Sequence, residues 1–358
     1  MWGFSNEFWK GKRVFITGHT GFKGSWLSIW LLQMGADIYG YALEPYSSPN
    51  LFSLSNLRNE MKSEIGDVRN YEQLQRSILA FAPDIIIHMA AQPLVRLSYE
   101  SPIDTYETNV IGTANLLDIS RKCDKLKSVV IVSSDKCYEN NEWIWGYREN
   151  EPLGGHDPYS SSKACTEIVT SAMRNSFFNS ENSANIASVR AGNVIGGGDW
   201  STDRLIPDAL KSFENKKPVI IRNPKAIRPW QHVLEPLSGY LLLAEKLYET
   251  DHSFNGAWNF GPIDSDCQSV ESVLDSLVEK WGDEAYWIRD TNDNTVHEAN
   301  FLKLDCSKAS FFLNWKPRWR LNFTLERIVN WHRNYLHGND ILDECLNEIE
   351  LFRETKPF

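Results

Sequence analysis

Val14 to Ser25 reads Val-Phe-Ile-Thr-Gly-His-Thr-Gly-Phe-Lys-Gly-Ser, and no other stretch limits the possible folds as much. A short β-rich run from Arg13 to Thr17 meets Gly18, Gly21 and Gly24 at three-residue spacing, and Trp26 to Met34 then carries the apolar periodicity of a helix. Strand, glycine turn and helix in that order open a parallel α/β sheet. Backbone without side chains lets a pyrophosphate reach N–H groups at the positive end of a helix. A dinucleotide is therefore the natural ligand, with Gly18, His19, Gly21, Phe22 and Gly24 around it. The alternative is a plain tight turn.

The chain of 358 residues suggests about two domains and can bury a large core. Its net charge of −10 argues against generic polyanion binding, so no nucleic acid is expected, and an anionic substrate would need a local arginine cluster. Six scattered cysteines form no Cys-x-x-Cys pair and no metal spacing with histidine. A reduced, cytoplasmic chain without a metal is expected. The first ten residues do not resemble a signal peptide, and no apolar run approaches the ~18 residues of a membrane span.

Asp37 to Leu43 is expected as a second strand with Glu44 at its end, 20 residues beyond Gly24. A carboxylate there can accept from a ribose 2′-hydroxyl and so select NAD, although Glu44-Pro45 equally suits a solvated turn. Asp67 and Val68 follow another short apolar stretch, where a carboxylate faces an adenine or caps the helix near Tyr71. Asp84 to Ala91 is a nearly continuous apolar run, as in a strand covered on both faces. His88 within it reads as a core histidine, while Ala90, Ala91 and Gln92 let backbone approach a cofactor. Asn109, a poor helix former in a helical pattern, either bonds backbone near the site or lies on the surface.

Ser128 to Ser134 is the clearest buried strand, and Asp135 and Lys136 follow it at once. Ligands of open parallel sheets meet the carboxyl ends of strands, which places Ser134, Asp135 and Lys136 for chemistry. Tyr159-Ser-Ser-Ser-Lys163 opens a helix, and i, i+4 spacing puts the phenol and the ammonium on one face. A neighbouring cation lowers a phenol's pKa, producing a base for a hydroxyl proton. Ser188 to Ala191 is a further strand, and Gly196-Gly-Gly-Asp-Trp200 beyond it suits either a loop folded on a ligand or a flexible connection. Arg204, Arg222 and Arg228, in Pro- and Gly-punctuated segments, supply the local cations that could hold a diphosphate. Helices are expected over Leu234 to Tyr248, Val270 to Trp281 and Leu321 to Leu336, with an acidic, helical tail from Asn339.

Thr17-Gly18-x-x-Gly21-Phe22-x-Gly24-Ser25, the strand ending in Ser134, Tyr159-x-x-x-Lys163 and Arg-x-Gly-Asn193-Val together resemble the extended short-chain dehydrogenase/reductases over nearly the whole chain. Within that family, Ser134-Asp135-Lys136 resembles the triplet of the nucleotide-sugar dehydratases that act on the CDP sugar, whose relatives carry glutamate in the third place. Ala90-Ala-Gln-Pro-Leu-Val-Arg96, Gly196-Gly-Gly-Asp-Trp200 and His297-Glu-Ala-x-x-Leu-x-Leu-Asp305 share that resemblance. It implies a Rossmann-type doubly wound parallel α/β sheet with a smaller mixed α/β substrate domain. The expected division is 1–186 plus about 229–258 for NAD, and about 187–228 plus 259–358 for the nucleotide sugar.

The resemblance further implies CDP-glucose as substrate, NAD retained through the cycle, and a homodimer or homotetramer. Tyr159, Ser134 and Lys163 would take the 4-hydroxyl proton as C4 is oxidised, and Asp135 would protonate the departing 6-hydroxyl. Arg96, Asn193, Arg204, Arg222, Arg228 and His297 would hold the nucleotide sugar. Lys136 would serve C5, either as a base neutralised by burial beside Lys163, the reading the sequence favours, or as a cation on the enolate. Other functions stay open: another nucleotide-sugar dehydratase or a 4-epimerase of the same family, the epimerase having no use for Asp135 and Lys136, and a catalytically silent NAD-binding regulator.

Overall fold

The structure is a computed structural model that describes residues 6–282, 284–290 and 301–358. Seven strands make the main sheet: β1 (Arg13–Thr17), β2 (Asp37–Ala42), β3 (Lys62–Ile65), β4 (Ile85–His88), β5 (Ser128–Val132), β6 (Asn185–Ala191) and, after three strands outside it, β10 (Gly256–Phe260). They lie in the order 3-2-1-4-5-6-10, and every pairing is parallel. The strand order reverses between β1 and β4, which is where such sheets bind ligands.

The alternation of side chains sets the two layers. Val14, Ile16, Ile85, Ile87, Val130 and Val132 join one core, while Phe15, Ile86, Val129 and Ile131 join the other. The first core is closed by α1 (Phe22–Gln33) and by the helix Leu234–Glu249. The second is closed by α2 (Tyr71–Phe81), α3 (Gly112–Ser120) and residues from the end of α4 (Pro158–Phe177) onward. Helices on both faces make this a doubly wound sheet.

A second, smaller core surrounds β8 (Val219–Ile221) and Trp230 of β9 (Ile227–His232). It is filled from α5 (Leu205–Glu214), from the helix Val270–Trp281 and from Leu321–Leu336. β9 lies between β7 (Asn193–Ile195), parallel to it, and β11 (Cys267–Ser269), antiparallel to it; β12 (Trp287–Arg289) pairs with β8.

Two expected boundaries are corrected. The division at 186 falls inside β6, which pairs with β5 and β10 through Ala191, because the buried run continues until Gly192. The tail is also not part of the smaller unit. Its helix Ile341–Glu354 buries Ile341, Cys345, Ile349 and Phe352 in the core beneath α1, and Trp30 meets Phe352 edge-on with 5.8 Å between ring centroids. An acidic outer face concealed this apolar stripe.

Candidate active site

The strand ends of β1, β4, β5 and β6 converge on one cleft of about 450 Å³, the range of small-ligand sites. Lys23, Arg96, Ser134, Asp135, Lys136, Tyr159, Asn193, Asp199, Arg204, Asp208, Arg222 and Arg228 line it. All the expected catalytic positions except Lys163 face it, together with all the expected substrate positions that lie within the described residues. His297 lies outside the described residues.

Gly18, with φ +78°, turns the chain so tightly that a Cβ there would meet the Ala90 nitrogen at 2.7 Å. At Gly24 a Cβ would meet the Gly18 carbonyl oxygen at 2.1 Å. These two glycines are packing requirements of the turn. Gly21 caps α1 without any side-chain hydrogen bond, so the first-turn N–H groups point at space that suits a phosphate. The cradle therefore fits the pyrophosphate of a dinucleotide.

Other cofactor candidates are differently engaged. Glu44 is paired with Arg58 at 2.8 Å, both more than half exposed. Asp67 holds Arg69 at 2.6 Å and accepts from its backbone N–H, and that guanidinium keeps its carboxyl below the usual range against the pull of burial. Val68 is buried against Gly112. Gln92 spends its side chain on Leu94 and Thr105. Asn109, buried in a π-helical turn, accepts from the Gln92 N–H at 2.8 Å and donates to Ser162 at 2.8 Å. It thereby ties the loop after β4 to the Tyr159 helix. His19 is buried against Phe52 and bonds Ser63, while His88 bridges Thr17 and Thr113 as a core histidine does.

After β5 the chain enters a short 3₁₀ turn, Asp135–Cys137, whose cap is Ser134. The Ser134 hydroxyl accepts from the Lys136 N–H at 3.2 Å and donates to Asp135 Oδ1 at 3.1 Å. Asp135 is buried, its Oδ2 has no hydrogen-bond partner among the described residues, and burial raises its carboxyl's pKa against Lys136, Ser134, Arg228 and Lys23. The residue lines the cleft. Lys136 is only half buried, so the full burial that a neutral amine base required is not found.

Tyr159 and Lys163 sit in the first turns of α4, started by the Asp157 cap and Pro158. Lys163 Nζ donates to the Val132 carbonyl at 3.2 Å. Burial pulls its pKa down to about 8, held up by Glu167. The expected acidification of Tyr159 does not occur in the chain alone: burial pushes the phenol up to about 12, although its hydrogen bond with Ser134 acts the other way. Sequence spacing reports the cation and not the burial.

Sequence reasoning passed over Lys23. It stands in the glycine turn, where the helix rather than a side chain drew attention, and burial with Arg204 and Lys163 pulls its pKa down to about 7. The arginines are not uniform either. Arg96 pairs with Asp203 at 2.7 Å and Arg204 with Asp199 at 3.1 Å across the cleft mouth, whereas Arg228 is a buried residue of β9 rather than of a loop. The Gly196–Trp200 loop packs on the protein: Trp26 Nε1 donates to the Gly197 carbonyl, and Trp200 meets Trp331 and Tyr335.

The sequence profile of GDP-mannose 4,6 dehydratase matches residues 15–328. The chain belongs to the GDP-mannose 4,6 dehydratase family. Within this family it is similar to a curated CDP-glucose 4,6-dehydratase from Salmonella typhimurium, 60% identical over 340 residues that cover 94% of each chain. Solved structures of family type share the fold: a UDP-glucose 4-epimerase from Thermotoga maritima with UDP-glucose at a TM-score of 0.79, covering 90% of this chain and 99% of that one. The dTDP-glucose 4,6-dehydratase DesIV from Streptomyces venezuelae, with NAD and TYD bound, superposes at 0.77 over 92% and 99%. Both are 22% identical.

Proposed function

We propose that the chain is an NAD-dependent CDP-glucose 4,6-dehydratase that forms CDP-4-keto-6-deoxyglucose. The observation that carries this reading is Asp135: a buried carboxyl with a raised pKa and an unpartnered Oδ2, opening on the same cleft as Tyr159. The 60% identity to a CDP-glucose 4,6-dehydratase supports the nucleotide and the sugar. A 4-epimerase needs only the Ser134, Tyr159 and Lys163 set, and a silent regulator needs none of it.

Tyr159, hydrogen-bonded with Ser134, receives the proton of the 4-hydroxyl, with the Lys163 ammonium one helical turn away. NAD, held at the Gly18–Gly24 turn, would supply the hydride acceptor at C4 and the donor at C6, and a positive charge that favours the ionised phenol. The 4-ketone makes the C5 proton acidic; a water in the open cleft takes that proton and returns it to C5 once hydride has reached C6, and Lys136 stands at the cleft as the cation on the enolate between the two steps. Asp135 gives its proton to the leaving 6-hydroxyl, because hydroxide is a poor leaving group. Arg204, Arg222 and Arg228 take the diphosphate, Arg204 leaving Asp199 to do so.

A homodimer is part of the proposal. Ile168 and Phe177 of α4, and Ile103 and Ile111 in the helical segment 102–111 that packs on it, are exposed apolar side chains that a second copy can cover. No described helix is long and apolar enough to cross a membrane, and the six cysteines are free thiols, which suits the cytoplasm.

The test is incubation of the purified protein with CDP-, dTDP-, UDP- and GDP-hexoses and NAD. CDP-glucose giving a product lighter by one water is expected. An isobaric product means an epimerase, bound NAD without turnover means a regulator, and preference for another nucleotide overturns the substrate.

A further inference from the structure

The helix that carries Tyr159 and Lys163 carries a third functional side chain at the same spacing. Glu167 is four residues beyond Lys163, so phenol, amine and carboxylate follow one another at i, i+4 and i+8 along one face of α4. Glu167 is buried, and its Oε2 receives Arg190 Nη2 of β6 at 2.9 Å and the Ser188 hydroxyl at 2.6 Å. Both charged side chains are 3% exposed. Arg190 is in turn fixed by the Tyr138 hydroxyl at 2.8 Å and the Glu149 carbonyl at 3.1 Å. The other Glu167 oxygen, Oε1, is buried as well, and Ser133 also acts to hold the carboxyl's pKa down.

A buried ion pair loses so much hydration that apolar residues of the same volume would serve stability as well. Its place one turn from the active-site lysine gives it another use. We propose that Glu167, clamped by Arg190 and Ser188, is a positioning residue that keeps the Lys163 ammonium charged and oriented beneath Tyr159. The proposal rests on the Tyr159–Lys163 reading above and adds what maintains it.

The groups that face Lys163 are few. Lys23 comes from α1, His88 from β4, Cys137 from the turn after β5, and Tyr159 and Glu167 from its own helix. Lys23, whose pKa burial lowers to about 7, has largely lost its proton by pH 8, and His88, whose pKa burial lowers to about 3, is neutral. Cys137 is a buried thiol with its pKa raised by burial. Glu167 is the carboxylate in the set: burial would raise its pKa, yet Arg190 and Ser188 hold it below the usual range. Without it, burial would drive the proton from Lys163.

The experiment compares pH profiles of kcat for the NAD-loaded wild type, Glu167→Gln and Glu167→Asp on CDP-glucose. Lost ammonium should appear as a fall on the alkaline side, setting in for the wild type near pH 8. For Glu167→Gln that limb should move at least about one pH unit lower, a loss of about tenfold at pH 8 with activity at pH 6 within about threefold of wild type. Glu167→Asp should leave the limb near its original place. Glu167→Gln with Arg190→Met removes both charges, is less exposed to misfolding, and should show the same shifted limb. A pH-independent loss, an unmoved limb, or failure of both Gln-containing proteins to fold would each overturn the proposal and assign the pair to stability. A wild type that does not turn over CDP-glucose would instead refute the functional reading.

Discussion

The Ser134 hydroxyl donates to Oδ1 of Asp135 at 3.1 Å and leaves Oδ2 of the same carboxyl buried without a partner among the described residues. One oxygen is anchored and the other is available to the cleft. The arrangement fixes the carboxyl, and burial moves its pKa upward, the direction a general acid requires.

Asp135→Asn keeps the shape and the bond from Ser134 and removes the transferable proton. Water elimination should fall about 10²- to 10⁴-fold, the usual contribution of a general acid. Affinity for CDP-glucose, measured by calorimetry, should change less than about threefold. Equal losses of affinity and turnover would show that Asp135 binds substrate rather than protonates the leaving group.

Lys136 offers a cleaner separation of roles. An arginine keeps a cation at the enolate and cannot act as a base, whereas methionine removes both functions. Lys136→Arg should retain at least about ten times the turnover of Lys136→Met, because the side chain is only half buried and stands next to Asp135. Equal inactivity of the two, with Lys136→Glu active, would make Lys136 a base.

Local patterns made much of this site legible. The glycine turn, the apolar run ending at Ser134 and the Tyr-x-x-x-Lys spacing each place their residues within one strand or one helical turn, where periodicity fixes direction. What folding brings together from afar was not legible in that way. Lys23 meets Asp199 and Arg204 only because the loop after β7 packs on α1. Tyr159 was read beside its cation, but its burial depends on elements packed around α4 that spacing does not report. Asn109 bonds backbone near the site, one of the two roles its sequence context allows, and the partner it finds is the Gln92 peptide, which no local pattern identifies. The tail is helical as expected, but its place against the main sheet was not legible, since its apolar stripe is only recognisable once α1 supplies the surface it covers.

The apolar face of α4 gives a test of assembly. Ile168 is 56% exposed on the side of the helix away from the cleft. A charge there would have to be desolvated in any interface of the standard ~800 Å² per partner. Ile168→Glu should shift the sedimenting species from dimer or larger to monomer while circular dichroism stays unchanged. An unchanged sedimentation coefficient would place the interface elsewhere.

Glu235 couples stability to pH. It is buried in the helix Leu234–Glu249, where Oε1 accepts from the N–H groups of Arg318 at 2.9 Å and Trp319 at 2.7 Å, and Oε2 has no partner among the described residues. Burial raises its carboxyl from the ordinary 4.5 to about 8 against those two bonds. Between those values the folded protein holds a proton that the unfolded chain releases, so this group's contribution to stability is full below 4.5 and declines as pH rises toward 8. The slope for one group is at most ~1.4 kcal/mol per pH unit. The buried histidines His19, His88 and His232, their pKa values lowered by burial, act in the opposite sense at lower pH, so the wild-type curve alone does not isolate Glu235. Glu235→Gln keeps an oxygen for Arg318 and Trp319 and cannot ionise. Urea midpoints at pH 5, 6, 7 and 8 should therefore fall more steeply for wild type than for the variant, the two curves diverging in the variant's favour as pH rises. Parallel curves would mean that Glu235 does not change its protonation on unfolding.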